Sequence, residues 1–227
     1  MADKLLDVNG LTVSVEEKEI LHDINLSINK GETHVLMGPN GAGKSTLGFA
    51  LMGSPKYTLN SGEILFNGKN INDETPDKRS KDGIFLSFQS PLEVPGLSLS
   101  SFIRNALEKN RGKRIRLWDF KKELREAMEL LQMLLLNPKL AILDETDSGL
   151  DVDAVRTVSK GVEHYQKNRD GALFIITHST GILESLKVDY THIMVNGHIV
   201  KTGDASLIDE INEHGFEKYL ELYAEKF

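Results

Sequence analysis

Alternation of apolar and polar residues marks the first elements of this chain. In Leu11-Thr12-Val13-Ser14-Val15 the two kinds exchange places at every step, as on a strand buried on one face. The stretch EILHDINLSI, 19–28, continues the pattern, and GEILFNGKNI, 62–71, repeats it around Asn67-Gly68, a pair suited to a two-residue hairpin turn. Together these predict an antiparallel β layer. Set into it, ETHVLMG (32–38) reads as a short apolar strand, and GKSTLGFALMG (43–53) has helical spacing. DGIFLSFQSP (82–91) predicts a further strand that closes on Gln89. From Ser98 to Leu136 the pattern is helical, with many charges between Glu108 and Glu129. The second half predicts a strand to Leu143, a helix from about Val152 to Lys167, the strand ALFIIT (172–177) and a short helix from about Gly181 to Leu186. A hairpin around Asn196-Gly197 and a C-terminal helix complete it. Strands alternating with helices imply a parallel sheet wrapped by helices.

Composition narrows what such a fold does. The 227 residues suit one large domain, without internal repeats or a low-complexity linker. A net charge of −7 opposes sequence-independent nucleic-acid binding, which calls for a basic stripe, so no nucleic-acid partner is expected. The sequence has no Cys, which excludes disulfides, thiolate metal sites and an iron–sulfur cluster held by its own Cys ligands. The first residues have no signal-peptide layout, and no apolar run approaches the ~18 residues of a membrane span. The expectation is a cytoplasmic protein without direct membrane insertion. Trp118 and the charges of 101–129 read as packing and a solvated helical face.

The chemistry begins at GPNGAGKST: Gly38, Pro39, Asn40, Gly41, Ala42, Gly43, Lys44, Ser45 and Thr46. Between a strand and a helix, this G-x-x-x-x-G-K-[ST] spacing is a phosphate loop. Its glycines let the backbone fold tightly, and successive N–H groups then point inward at phosphate oxygens. Lys44 reaches the β- and γ-phosphates, and the Ser45 hydroxyl is a ligand for Mg²⁺. The strand Leu140–Leu143 ends on Asp144 and Glu145. On a strand neighbouring the loop, Asp144 would hold the Mg²⁺, directly or through water, and Glu145 would reach the water that attacks the γ-phosphate. His178 closes ALFIIT at the same sheet edge, as a γ-phosphate sensor and anchor for that water. Gln89 is an amide ligand for the metal or the water. The reading is thus a nucleoside triphosphate with Mg²⁺, which the resemblance below implies is ATP: Glu145, His178 and Gln89 for catalysis, Ser45, Gln89 and Asp144 for the metal.

In this order the phosphate loop, Gln89, LAILDE, the SGLD segment (Ser148 to Asp151) and His178 resemble the nucleotide-binding subunits of ABC-type ATPases over nearly the whole chain. GPNGAGKSTL, GIFLSFQSPLEVPG, LQMLLLNPKLAILDETDSGLDVDA and DYTHIMVNGHIVKTGD are similar to the ATPase subunits of the SUF iron–sulfur cluster assembly system (SufC). The resemblance implies an α/β P-loop NTPase core at about 1–89 and 132–227, with an antiparallel β subdomain. It also implies a truncated helical subdomain at about 90–131. It further implies a transient ATP-dependent homodimer seated on scaffold proteins of the SufB and SufD type, contacted through the segment after Gln89. The alternative is the ATPase subunit of a membrane ABC transporter.

Two departures stand out. The Gly-rich signature that grips the γ-phosphate of the opposite subunit is not seen: KKELREAMELL (121–131) runs straight into QMLLLNPKL (132–140). The expectation is a mobile loop left out of the numbering between Glu129 and Met133, which consecutive Cα spacings well beyond 3.8 Å would reveal. Without the signature, hydrolysis across a dimer would be impaired while nucleotide binding persisted. Second, Val15 stands where many ABC ATPases place the aromatic residue that stacks on adenine. A base–aromatic contact is worth ~1–3 kcal/mol in other sites, so weaker affinity and modest discrimination between ATP and GTP are expected.

Overall fold

The computed structural model covers the full 227 residues and describes 3–87, 101, 104–105, 108–109, 112, 114, 116, 137–145, 152–168, 171–178, 183 and 186–226. The junction from Glu129 to Met133, where a loop left out of the numbering was expected, lies outside the described residues. The helical stretch 98–136, Trp118, Gln89, the SGLD segment and the segment after Gln89 lie wholly or mostly outside the described residues.

Two sheets carry the fold. The antiparallel one has the order β2-β1-β4-β5, with β1 Lys4–Val15, β2 Lys18–Asn29, β4 Tyr57–Phe66 and β5 Lys69–Asn70. The six-stranded one has the order β10-β9-β3-β8-β7-β6. Its members are β3 Thr33–Met37, β6 Ile84–Ser87, β7 Leu140–Asp144, β8 Ala172–Ile176, β9 Tyr190–Val195 and β10 His198–Gly203. All its pairings are parallel except β9 with β10. Strands β3, β7 and β8 are buried at every residue, which explains why they read as continuous apolar runs: both faces are covered.

Helix α1, Lys44–Met52, lies on one face with the antiparallel sheet, sharing a core of Leu21, Leu47, Leu51, Ile142 and Ile176. Helix α3, Val152–Asn168, covers the other face through Val162 and Tyr165, and the Tyr165 hydroxyl donates to the Pro138 carbonyl at 2.6 Å. The single C-terminal helix expected from sequence is two, α4 Ser206–His214 and α5 Glu217–Lys226, divided at Gly215 with φ 67°. In the stretch expected to be a helix at about 181–186, the Leu186 N–H donates to the Leu183 carbonyl at 3.0 Å, an i to i+3 turn. Helix α2, Pro76–Asp82, was not anticipated. Its Arg79 is 1% exposed and donates to five carbonyls, those of Ala50, Leu51, Ile71, Asn72 and Glu74. Two of them, Ala50 and Leu51, belong to the last turn of α1, whose carbonyls have no partner in the regular helix ladder; the Ala50 carbonyl also accepts from the Gly53 N–H at 3.0 Å.

A buried polar chain crosses the other end of the large sheet. His34 Nδ1 and His192 Nε2 are 2.9 Å apart, His34 Nε2 meets Glu32 at 3.0 Å, and His192 Nδ1 meets the Thr202 hydroxyl at 2.8 Å. Burial, and then the neighbouring His34, pushes the His192 imidazole down to about 3. Burial also lowers His34, against the opposing pull of Glu32 and Asp189.

Candidate nucleotide site

The site forms along the carboxyl edge of the parallel strands, where open α/β sheets bind ligands. Pairing puts Leu36 of β3, Ile176 of β8 and Asp144 of β7 on one line across the sheet. The next residues of each strand are therefore level: the phosphate loop, Thr177-His178 and Glu145. Strand β7 is not the immediate neighbour of β3, as expected from sequence; β8 lies between them. Helix α1 bridges the gap, because it crosses the sheet and carries Ser45 over to β7. The Ser45 hydroxyl donates to Asp144 Oδ1 at 3.0 Å.

Loop residues 38–43 lead into α1 through Gly43, whose φ of 103° is open to glycine and strained for other residues. No side chain caps the helix, and its first turn contains no acid. Its leading N–H groups are thus left for an anion, with the positive end of the helix behind them. Lys44 is 5% exposed and folds back on the loop, donating to the carbonyls of Gly38 (2.8 Å) and Pro39 (3.1 Å). Burial lowers its pKa, while Glu145 and Asp144 pull the other way. A polyphosphate would supply the countercharge that these two carbonyls only approximate.

Asp144 is 2% exposed. Burial raises its pKa, the Ser45 hydrogen bond opposes that, and Glu145 adds to the rise. A buried, disfavoured anion beside a hydroxyl is suited to a hard divalent cation. Among the described residues no group of three or more acidic, His or Cys side chains could hold a metal by itself. That fits Mg²⁺, which is usually held by one or two carboxylates together with phosphate oxygens rather than by a protein cage. Ser45 and Asp144 are the residues present for it.

Glu145 departs from the strand with φ 46°, in the left-handed region, while its N–H still donates to the Ile176 carbonyl at 2.8 Å. Such a backbone costs of order 1–3 kcal/mol for a residue with a side chain, and active sites are where it is tolerated. The turn brings the Glu145 carboxylate to 3.2 Å from His178 Nδ1, joining the two residues that the sequence assigned to the attacking water. Gln89, two residues beyond the end of β6, is outside the described residues. Val15 ends β1, half-buried, directly opposite Tyr57 of β4. The Tyr57 ring stacks on Phe49 of α1, with centroids 5.3 Å apart and planes 5° apart. Sequence reasoning missed this aromatic pair because β4 begins at Tyr57, five residues before the alternation at Gly62 becomes clear.

A strand–glycine-loop–helix holding Lys and Ser, faced by a carboxylate from a nearby parallel strand, defines a P-loop nucleoside triphosphatase. The ABC transporter family profile matches residues 21–148, and the chain belongs to that family. It is an ABC ATPase, a class that binds and hydrolyses ATP with Mg²⁺. A probable ATP-dependent transporter (ycf16) of Pyropia yezoensis is 41% identical, covering 96% of this chain and 98% of the relative. A probable ABC transporter ATP-binding protein of Streptococcus pyogenes serotype M3 is 40% identical over 93% of each. A nucleotide-free ATP-binding cassette from an ABC transporter superposes with a TM-score of 0.77 at 21% identity, covering 97% of this chain and 98% of that one. A dimeric bacterial ABC transporter cassette gives 0.76 at 18% identity, covering 88% and 98%.

Proposed function

We propose that this ATPase powers a conformational change in an iron–sulfur cluster assembly scaffold of the SufB and SufD type, in the cytoplasm. The observation that carries the reading is the likeness of GIFLSFQSPLEVPG and DYTHIMVNGHIVKTGD to SUF-system ATPases. The lack of Cys assigns any cluster to the partner rather than to this chain. No helix among the described residues is long and apolar enough to cross a membrane.

At the site, loop amides 38–46 and Lys44 hold the phosphates, and Ser45, Asp144 and Gln89 hold Mg²⁺. When bound, the metal neutralises charge building on the β- and γ-oxygens. Glu145 accepts the proton of the attacking water, and His178 orients that water against the γ-phosphate. Val15 lines the adenine side. Two copies of this chain close on ATP; the bacterial cassette whose fold it shares is itself dimeric.

A second reading, the ATPase subunit of a membrane transporter, is favoured by the names of the relatives. A third is a nucleotide-binding subunit without turnover. The absence of the signature supports that one. Capture from a native extract with MgATP, read by mass spectrometry, separates the first two: soluble scaffold proteins support the proposal, and integral membrane proteins overturn it in favour of the transporter. Phosphate release is then followed with and without the captured partner. No release in either case leaves the third reading.

A further inference from the structure

The chain makes the same tight turn twice. Asn67 and Gly68 have φ of 50° and 76°, and Asn196 and Gly197 have 43° and 78°, the paired positive values of a two-residue hairpin turn. Their surroundings differ. A Cβ on Gly68 would meet nothing within 4 Å. A Cβ on Gly197 would sit 2.0 Å from the Ile20 carbonyl oxygen and 2.8 Å from His22 Cδ2. The β9–β10 turn is therefore pressed against β2 with no room for a methyl group.

Its backbone also reaches the phosphate loop. The Gly197 N–H donates to the Ala42 carbonyl at 2.8 Å, and the Gly197 carbonyl accepts from the His22 N–H at 3.0 Å. One residue thus joins the loop on one side to β2 on the other. The strand leading into the turn closes on the loop as well: a Cβ on Gly38 would lie 2.2 Å from the Met194 carbonyl oxygen. His22 and His198 stack beside the turn, with centroids 4.8 Å apart and planes 20° apart.

These contacts fix peptide directions. With the Ala42 carbonyl engaged by Gly197, it is held away from the anion; the Ala42 N–H donates to the Pro39 carbonyl at 3.2 Å, and the N–H groups that follow it, from Gly43 on, are left to face inward. We infer that Gly197 is a positioning residue for the nucleotide, setting the inward direction of the loop amides through its bond to Ala42 while β2 braces it from behind. It touches no phosphate. Its action is through the loop, so its loss weakens ATP binding more than it weakens the fold. This rests on the ATP reading of the site given above.

The two turns make the test internally controlled. Gly68→Ala meets only the backbone cost of a side chain at positive φ. Gly197→Ala meets the same cost and also displaces the turn from Ala42 or from Ile20. Calorimetric titration with MgATP should give a Kd at least tenfold above wild type for Gly197→Ala and within twofold for Gly68→Ala. The KM for ATP should rise in step, with kcat changed far less. A folded Gly197→Ala protein binding MgATP within twofold of wild type overturns the inference. Equal losses in both variants overturn it too, because the effect would then be general. If Gly197→Ala does not fold, the wild-type protein decides. Residue-resolved amide exchange by NMR should slow at Gly197 and His22 on adding MgATP, and not at Gly68. Unchanged exchange at Gly197 and His22, with the loop itself protected, overturns the inference. A wild-type protein that binds no MgATP at all refutes the nucleotide reading instead.

Discussion

Glu145 bends into the left-handed region and delivers its carboxylate to His178. Their partnership could be anticipated, since each follows a strand of one parallel sheet and the sheet edge is shared. The bend could not: nothing in the letters LDET announces positive φ. Lys44, likewise, was readable as a phosphate ligand but not as a side chain folded onto two loop carbonyls, which depends on the loop's own closure. Val15 was placed by resemblance, and its cross-strand neighbour Tyr57 came to light only with the register. At this scale one substitution is decisive. Glu145→Gln keeps the volume and loses the proton acceptor. ATP affinity should stay within about twofold while turnover falls by ~10²–10⁴, as read by calorimetry beside phosphate release. Undiminished turnover would remove Glu145 from the chemistry.

Elements with period-two alternation or unbroken apolar runs were legible: β2, β3, β7 and β8 lie where the pattern put them, as does α3, whereas β1 contains the expected 11–15 but starts earlier, at Lys4. The order of strands was not, because a run of apolar residues records burial and not which neighbour provides it. Hence β8 stands between β3 and β7, and Ser45 still meets Asp144 by way of α1. Helix α2 escaped notice since seven mostly charged residues have no apolar stripe; its anchor is the buried cation Arg79. The His34–His192 pairing between β3 and β9 is of the same kind, visible only after pairing. It has a measurable consequence. The folded chain keeps His192 neutral down to about pH 3, whereas the unfolded chain takes up a proton near the ordinary His value of about 6.5. The stability tied to His192 is therefore complete above pH 6.5 and is lost as pH falls from there towards 3. Urea unfolding across that range should show it, and His192→Gln should flatten that part of the curve. An unchanged slope in the variant would assign the acid sensitivity elsewhere.

For the molecule as a whole, ligand linkage gives the broadest check. MgATP at about 100 times its Kd should stabilise the fold by ~2.7 kcal/mol. For a chain of 227 residues that corresponds to a melting temperature higher by roughly 5–10 °C. A melting curve unmoved by saturating MgATP would contradict a formed site. Fold class and family were legible because motif order and strand–helix alternation extend over the entire length. At the junction Leu131-Gln132 the sequence has no glycine-rich turn where the resemblance implies one.

The Arg79 guanidinium has a mechanical meaning. By closing the final carbonyls of α1 and gripping those of residues 71, 72 and 74, it welds the rod that bears Lys44 and Ser45 to the arm that continues into β6. The heel of that rod is thus riveted to the arm by a single side chain, with two backbone carbonyls on the rod and three on the arm gathered at one buried cation.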